Sequence, residues 1–239
     1  MRIAWVSPLP PSPSGVGDYS ADLLGEVARL APTAAFTTDT DWRPAGLAPE
    51  VAGRLEIRSH TELEGALAAD PELVPVYHQA NNPWHTFVYE LAIRRPGVLV
   101  LHDIVLHHLL LDRSERMKDW PAYQALLTEQ YGQDQAAEVY ALRRAKAATE
   151  LEKFVLPLSG PLARRSDLVV VHSRHGRSIV RMEAPDAQVR IIPHHCGRPP
   201  AAMPLTGAEV RARLGLPPEA VLIGSFGYIT VPKQGEVLL

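Results

Sequence analysis

Cysteine is almost absent. Cys196 is the only one, so no disulfide can close within the chain and a reducing, cytoplasmic setting is expected. A surplus of positive charge is also missing. The net charge is −3 and neither sign runs in blocks, which argues against holding nucleic acid by charge. No uninterrupted apolar run is long enough to cross a membrane: the longest, residues 98–111, is broken by His102, Asp103, His107 and His108. An apolar secretory segment is lacking too, because Pro8, Pro10 and Pro11 follow the first apolar residues at once. Metal-binding spacing is likewise not found. His102, His107 and His108 have no i, i+4 pairing with an intervening Glu, and His194 and His195 beside Cys196 do not make a finger. Structural or supporting roles are expected for His107, His108, His194 and His195, and no internal repeat is visible.

What is present is enough apolar residue, 46%, to build a proper core. Short apolar runs at residues 2–7, 33–38, 54–59, 73–79, 97–103, 167–173 and 189–195 read as strands. Pro75 places the fourth of them at a sheet edge or at a strand start. Helical spacing appears at 18–30, 61–69 (with Thr61 and Glu64 as a capping box), 83–94 and 175–182. Residues 104–154 are mostly helical by composition, with breaks near 119–121 and at Gly132. Strands alternating with helices predict an α/β fold, a mainly parallel sheet covered by helices on both faces. A Pro-, Gly- and Ala-rich stretch at 196–205 reads as a linker, followed by a short helix at 209–214 and an apolar strand at 220–229. The expected division is therefore 1–196 and 197–239, the second part being the opening of a truncated domain.

Ligands of open α/β sheets sit at the carboxyl ends of the strands. The stretch SPSGVGDYSADLL, from Ser12 to Leu24, falls at such an end. Its glycines suit either a tight turn or a ligand close to the backbone, and the helix that follows offers N–H groups to an anion. It is neither a dinucleotide fingerprint, since Ser20 stands where Gly or Ala is needed, nor a P-loop. His102 and Asp103 end another strand on the same rim, where an imidazole of near-neutral pKa could donate, accept or shuttle a proton. Residues 79–85 (QANNPWH) bring amides that suit sugar hydroxyls, with Asn82 as the cap of the helix opened by Pro83 and Trp84 packing. Tyr77, Gln79, Asn81 and Ser173 are acceptor-side candidates at strand ends.

Taken in order, PLPPSPSGVGDYSADLL, YHQANNPWHTFVYELAIRRPGVLVLHDIVLHHLL, SDLVVVHSRHGRSIV, VRIIPHHCGRP and IGSFGYITVPKQGEVLL resemble the two-Rossmann-domain (GT-B) retaining glycosyltransferases of cell-surface polysaccharide synthesis. The resemblance covers nearly all of the chain. It implies a Rossmann-like acceptor-side domain at 1–196, and a linker and first strand of the donor-binding domain at 197–239. It implies that Gly15, Val16 and Gly17 line the cleft beside the donor diphosphate, that His102 contacts the transferred sugar with Asp103 beside it, and that Lys233 holds the donor phosphates. Ser14 stands where the family often has glycine, Tyr228 where many members have arginine, and Gln234 where Lys-Gly is usual. The family's paired glutamates would lie beyond Leu239, so this length of chain is expected to be inactive, or nearly so, alone.

The implied partners are a nucleotide-diphosphate sugar as donor and a glycan, lipid or small-molecule hydroxyl as acceptor, without cofactor, metal or nucleic acid. Charge building on the departing diphosphate calls for fixed positive potential, from Lys233 and helix N-termini. If configuration inverted instead, His102 would be the base and Asp103 its orienter. Arg113, Arg116 and Lys118 near apolar residues are compatible with peripheral membrane contact. The strand from Val221 to Phe226, without a home sheet, is expected to pair with a second copy, dock on the first domain or move freely. Two other classes remain open: a nucleotide-sugar epimerase of the same architecture, which needs acids in the cleft, and a non-enzymatic small-molecule binding domain.

Overall fold

The computed structural model describes residues 1–44, 46–196 and 205–224. The chain divides into two compact units, Met1–His195 and Cys196–Leu239. The first unit starts with β1 (Arg2–Val6), α1 (Gly15–Leu30), β2 (Thr33–Thr37), α2 (Pro49–Ala52), β3 (Leu55–Ser59) and α3 (Leu63–Ala69). It continues with β4 (Leu73–Gln79), α4 (Thr86–Arg94) and β5 (Val98–Leu101), then the helices α5 (His107–Met117), α6 (Trp120–Tyr131), α7 (Gln133–Arg144), α8 (Glu150–Val155) and α9 (Gly160–Arg165). It closes with β6 (Leu168–Val171), α10 (Arg174–Glu183) and β7 (Val189–Ile191).

All the strand pairs are parallel, in the order β3-β2-β1-β4-β5-β6-β7. The chain builds outward from β1 to β3, then returns to the other side of β1 and builds outward again. The reversal lies between β1 and β4. Strand side chains alternate between faces. Ala4, Val6, Phe36, Tyr77, Leu99, Leu101, Val169 and Val171 pack with α4, α5, α6 and α10 in the larger core, whereas Trp5 and Ala35 join Tyr19 and Leu24 of α1 in the smaller one. Both faces are covered, which is why the strands read as apolar runs. The architecture is Rossmann-like.

Three local readings change. β4 is central, not an edge: Pro75 pairs opposite Ala4, and the ladder to β5 starts only at Val76. A proline before that ladder begins does not break it. Gly97, just before β5, comes so close to this proline that an added Cβ would lie 2.6 Å from the Pro75 carbonyl oxygen. The capping box sits two residues earlier than Thr61 and Glu64. Ser59 Oγ accepts the Thr61 N–H and Glu62 Oε1 accepts the Ser59 N–H, opening a 3₁₀ turn that leads into α3. Finally α1 begins at Gly15, so the glycines belong to its first turn.

The long helical stretch breaks at Lys118, at Gly132 (φ +89°) and again around residues 145–149. Asp119 caps α6 through the Ala122 N–H, with Pro121 in the first turn. In the second unit, α11 (Gly207–Leu214) is opened by a Thr206–Glu209 capping box and closed by Gly215 at φ +66°. The described part of the expected 220–229 strand, residues 220–224, is irregular; the rest lies outside the described residues. Among the described residues, no helix is long and apolar enough to cross a membrane.

Candidate functional site

Parallel strands place all their carboxyl ends on one rim. Register then decides which residues meet there. Gln79, Leu101, Val171 and Ile191 stand in one row across β4, β5, β6 and β7. His102 and His172 therefore lie one step past that row, side by side. His78 pairs with Val100, two residues before His102 and so on the same face. That face is the one covered by α1.

The three imidazoles form a chain. His78 Nδ1 lies 3.1 Å from His102 Nε2, and His102 Nδ1 lies 3.2 Å from His172 Nε2. His172 Nδ1 ends the chain 2.8 Å from the Ile192 carbonyl oxygen. Trp5 stacks on His78 with ring centres 3.9 Å apart. Tyr19, from the second turn of α1, sets its ring 4.6 Å from His102, 4.9 Å from His194 and 4.7 Å from His195. His195 in turn meets the Asp22 carboxylate at 3.2 Å. With His78 and His172 at 5.8 and 5.9 Å, imidazoles from four segments surround one phenol ring.

Burial and crowding by like imidazoles depress the basicity of this cluster. Burial, then the neighbouring His85 and His172 rings, holds His78 well below the ordinary imidazole value. Burial first and then His78 and His172 do the same to half-buried His102. His172 is lowered by burial, against the pull of the Ile192 carbonyl. Burial raises the Tyr19 phenol. The near-neutral proton shuttle expected at His102 is not what this environment makes. At pH 7 His78, His102 and His172 are neutral, and they work by directed hydrogen bonds.

The glycine turn lies beside it. Neither Gly15 nor Gly17 has a positive φ, and a Cβ on Gly15 would meet nothing within 4 Å. No tight turn requires these glycines. A Cβ on Gly17 would make only ordinary contact with Leu9 and Pro8. Val16 is buried, and no side chain caps α1. Ser14 Oγ is 3.0 Å from His85 Nε2, while His85 Nδ1 reaches the His78 carbonyl at 2.9 Å. A second chain runs from Trp5 Nε1–H to Ser20 Oγ, on to Ser7 Oγ and then to the Pro8 carbonyl. The glycine turn and the imidazoles are tied together through β1 and β4.

Other expected site residues are placed differently. Asp103 does not orient His102. Its carboxylate accepts the Asn81 N–H at 2.9 Å, because consecutive residues leaving a strand point to opposite sides. Asn81 is no free sugar ligand: Oδ1 accepts the Leu109 N–H in the first turn of α5, and Nδ2 faces His108 Nδ1. Tyr77 is sealed in the core, its hydroxyl without a partner. Gln79 is buried as well, its amide donating to the Ala80 carbonyl. Ser173 caps α10 through the Gly176 N–H. Asn82 does cap the helical turn at Pro83, accepting the Trp84 N–H, but Trp84 is half-exposed and not packed.

His107 and His108 hold helices together, His107 between the Leu156 carbonyl and the Tyr123 hydroxyl, His108 against Glu150. His194 and His195, expected in structural or supporting roles, stand at the rim around Tyr19. Lys233, Tyr228 and Gln234 lie outside the described residues. Sequence reading passed over His78 and His172. The signal was available: VYHQ, VLHD and VVHS each end an apolar strand in histidine.

No family model matches the chain, and no curated protein or solved structure matches it. Among the described residues, no group of three His, Cys, Asp or Glu side chains is arranged to hold a metal ion. A separate shallow groove lies between α3 and α4, lined by His60, Glu64, Phe87 and Arg94. Its Glu64 and Arg94 already pair with each other at 3.0 Å.

Proposed function

We propose that this chain carries the acceptor-side domain of a nucleotide-sugar glycosyltransferase. The observation that supports the reading is one rim where three things meet. They are the switch point of a parallel sheet, an uncapped helix start bearing glycines without a conformational duty, and an imidazole cluster on Tyr19. The first-turn N–H groups of α1 offer positive potential to a departing diphosphate. Lys233, further along the chain, supplies a counter-charge for the donor phosphates.

His102 positions the transferred sugar in this reading and is not the base. Its ring resists protonation, and Asp103 is turned toward Asn81. Transfer then proceeds with retention, the acceptor hydroxyl attacking from the side the diphosphate leaves. The acceptor is a glycan, lipid or small-molecule hydroxyl.

The test is turnover by the chain fused to a complete donor-binding half, with a panel of nucleotide sugars and glycan or lipid acceptors. Free nucleotide diphosphate is expected only when both substrates are present. His102→Ala should lower kcat/KM at least about tenfold, roughly one hydrogen bond's worth of transition-state stabilisation, in a chain that still folds but melts lower because His78 Nδ1 loses its acceptor. Product from donor alone would replace the reading with an epimerase. Donor binding without turnover would replace it with a binding domain.

A further inference from the structure

The imidazole chain has a direction, and both of its ends set it. At the outer end, His172 Nδ1 lies 2.8 Å from the Ile192 carbonyl oxygen. A carbonyl only accepts, so Nδ1 carries the hydrogen and Nε2 is left with a lone pair. His102 Nδ1, 3.2 Å from that lone pair, is therefore the N–H, and His102 Nε2 accepts. His78 Nδ1, at 3.1 Å, donates to it. At the inner end, His78 Nε2 is buried without a partner.

In this direction the orphan atom is a bare lone pair. In the reverse direction it would be an N–H stripped of water, and the His172 lone pair would face a carbonyl oxygen. A buried donor without a partner costs about 1–3 kcal/mol, so the reverse order loses at both ends.

The two partners of His102 are not equivalent. His78 is sealed between Trp5 and the sheet. His172 is half-exposed, held at the strand end by one carbonyl and flanked by His194, whose ring centre is 5.1 Å away. An incoming oxygen can take the place of His172, and cannot take the place of His78.

We propose that His172 is a positioning residue for His102. It holds His102 as the Nδ1–H tautomer, so that a ligand oxygen displacing it meets a hydrogen-bond donor. The Nε2 lone pair stays occupied by His78 throughout. That the oxygen belongs to a sugar hydroxyl rests on the glycosyltransferase reading; the tautomer does not. A hydroxyl suits the vacated place because it accepts from His102 and keeps its own hydrogen for another partner.

The experiment is nitrogen NMR of histidine-labelled chain at pH 7.5, with His102 assigned by its loss in His102→Gln. His102 is expected as a single Nδ1–H tautomer. His172→Ala should move its two nitrogen shifts part of the way toward each other, because the inner end alone then holds the tautomer. His172→Gln, which returns an acceptor oxygen near the place of Nε2, should move them back. An Nε2–H tautomer in the unaltered chain overturns the proposal, and so do unmoved shifts in His172→Ala. If His172→Ala does not fold, the unaltered chain and His172→Gln still decide. The expected tautomer without transfer from any nucleotide sugar leaves the positioning intact and removes the sugar. Transfer with an unresponsive tautomer removes the positioning alone.

Discussion

Lowering the pH from 7 to 5 is expected to remove at least about 4 kcal/mol of the domain's stability, roughly 2 kcal/mol from each of two buried histidines, His85 and His107, with buried His78 adding to the fall. Burial pushes His85 and His107 down to about 4 and holds His78 well below the ordinary imidazole value, and none of the three is more than marginally exposed. In the unfolded chain each imidazole titrates near 6.5. Above that value neither state binds the proton and stability does not respond. Below it the unfolded chain takes up protons that the fold refuses, so stability falls with pH. For His85 and His107 the fall continues to about pH 4, where the folded state protonates too. The loss is comparable to the whole stability of many domains. Urea midpoints at pH 7, 6 and 5 measure it. A midpoint that does not move over this range would mean that these rings are already charged, or solvated, in the fold.

Removing Arg143 is expected to cost about 3–5 kcal/mol, the range for breaking a buried ion pair from one side. Arg143 of α7 pairs with Glu152 of α8, their side chains 13% and 9% exposed. Its Nε also donates to the Tyr123 hydroxyl of α6 at 3.0 Å, and that hydroxyl in turn donates to His107 Nε2 of α5 at 2.6 Å. Four helices are joined at one point. Glu152 Oε2 already lacks a partner, so Arg143→Leu leaves a buried carboxylate with nothing to answer it. Thermal melting should drop by about 10 °C or more for a domain of this size. The double substitution Arg143→Leu with Glu152→Leu should recover most of the loss, because neither charge then remains. A single substitution costing under about 1 kcal/mol would place the pair in solvent.

The architecture was legible because parallel strands buried on both faces must be short apolar runs, and seven such runs stood between helical stretches. His102 was legible because it ends one of them. Its partners were not, because they are set by register across β4, β5 and β6 and lie 24 and 70 residues away. Asp103 misled for a reason available beforehand: neighbours along a strand face opposite ways, so adjacency in sequence argued against pairing. Asn81 and Ser173 were read as ligands because strand ends collect polar residues. Here those residues satisfy the free N–H groups at the starts of α5 and α10 instead. The break at residues 145–149 carries neither glycine nor proline, so nothing in composition marked it.

The central claim is that ligands meet this domain at the rim shared by α1 and the imidazole chain. Titrating soluble glycan acceptors and nucleotide sugars into chain labelled at histidine and tyrosine tests it most directly. The account predicts saturable, concerted shifts of His102, His172 and Tyr19, with His60 and His107 unmoved. Shifts confined to His60, in the groove between α3 and α4, would contradict it, as would no shift at His102 with any sugar ligand.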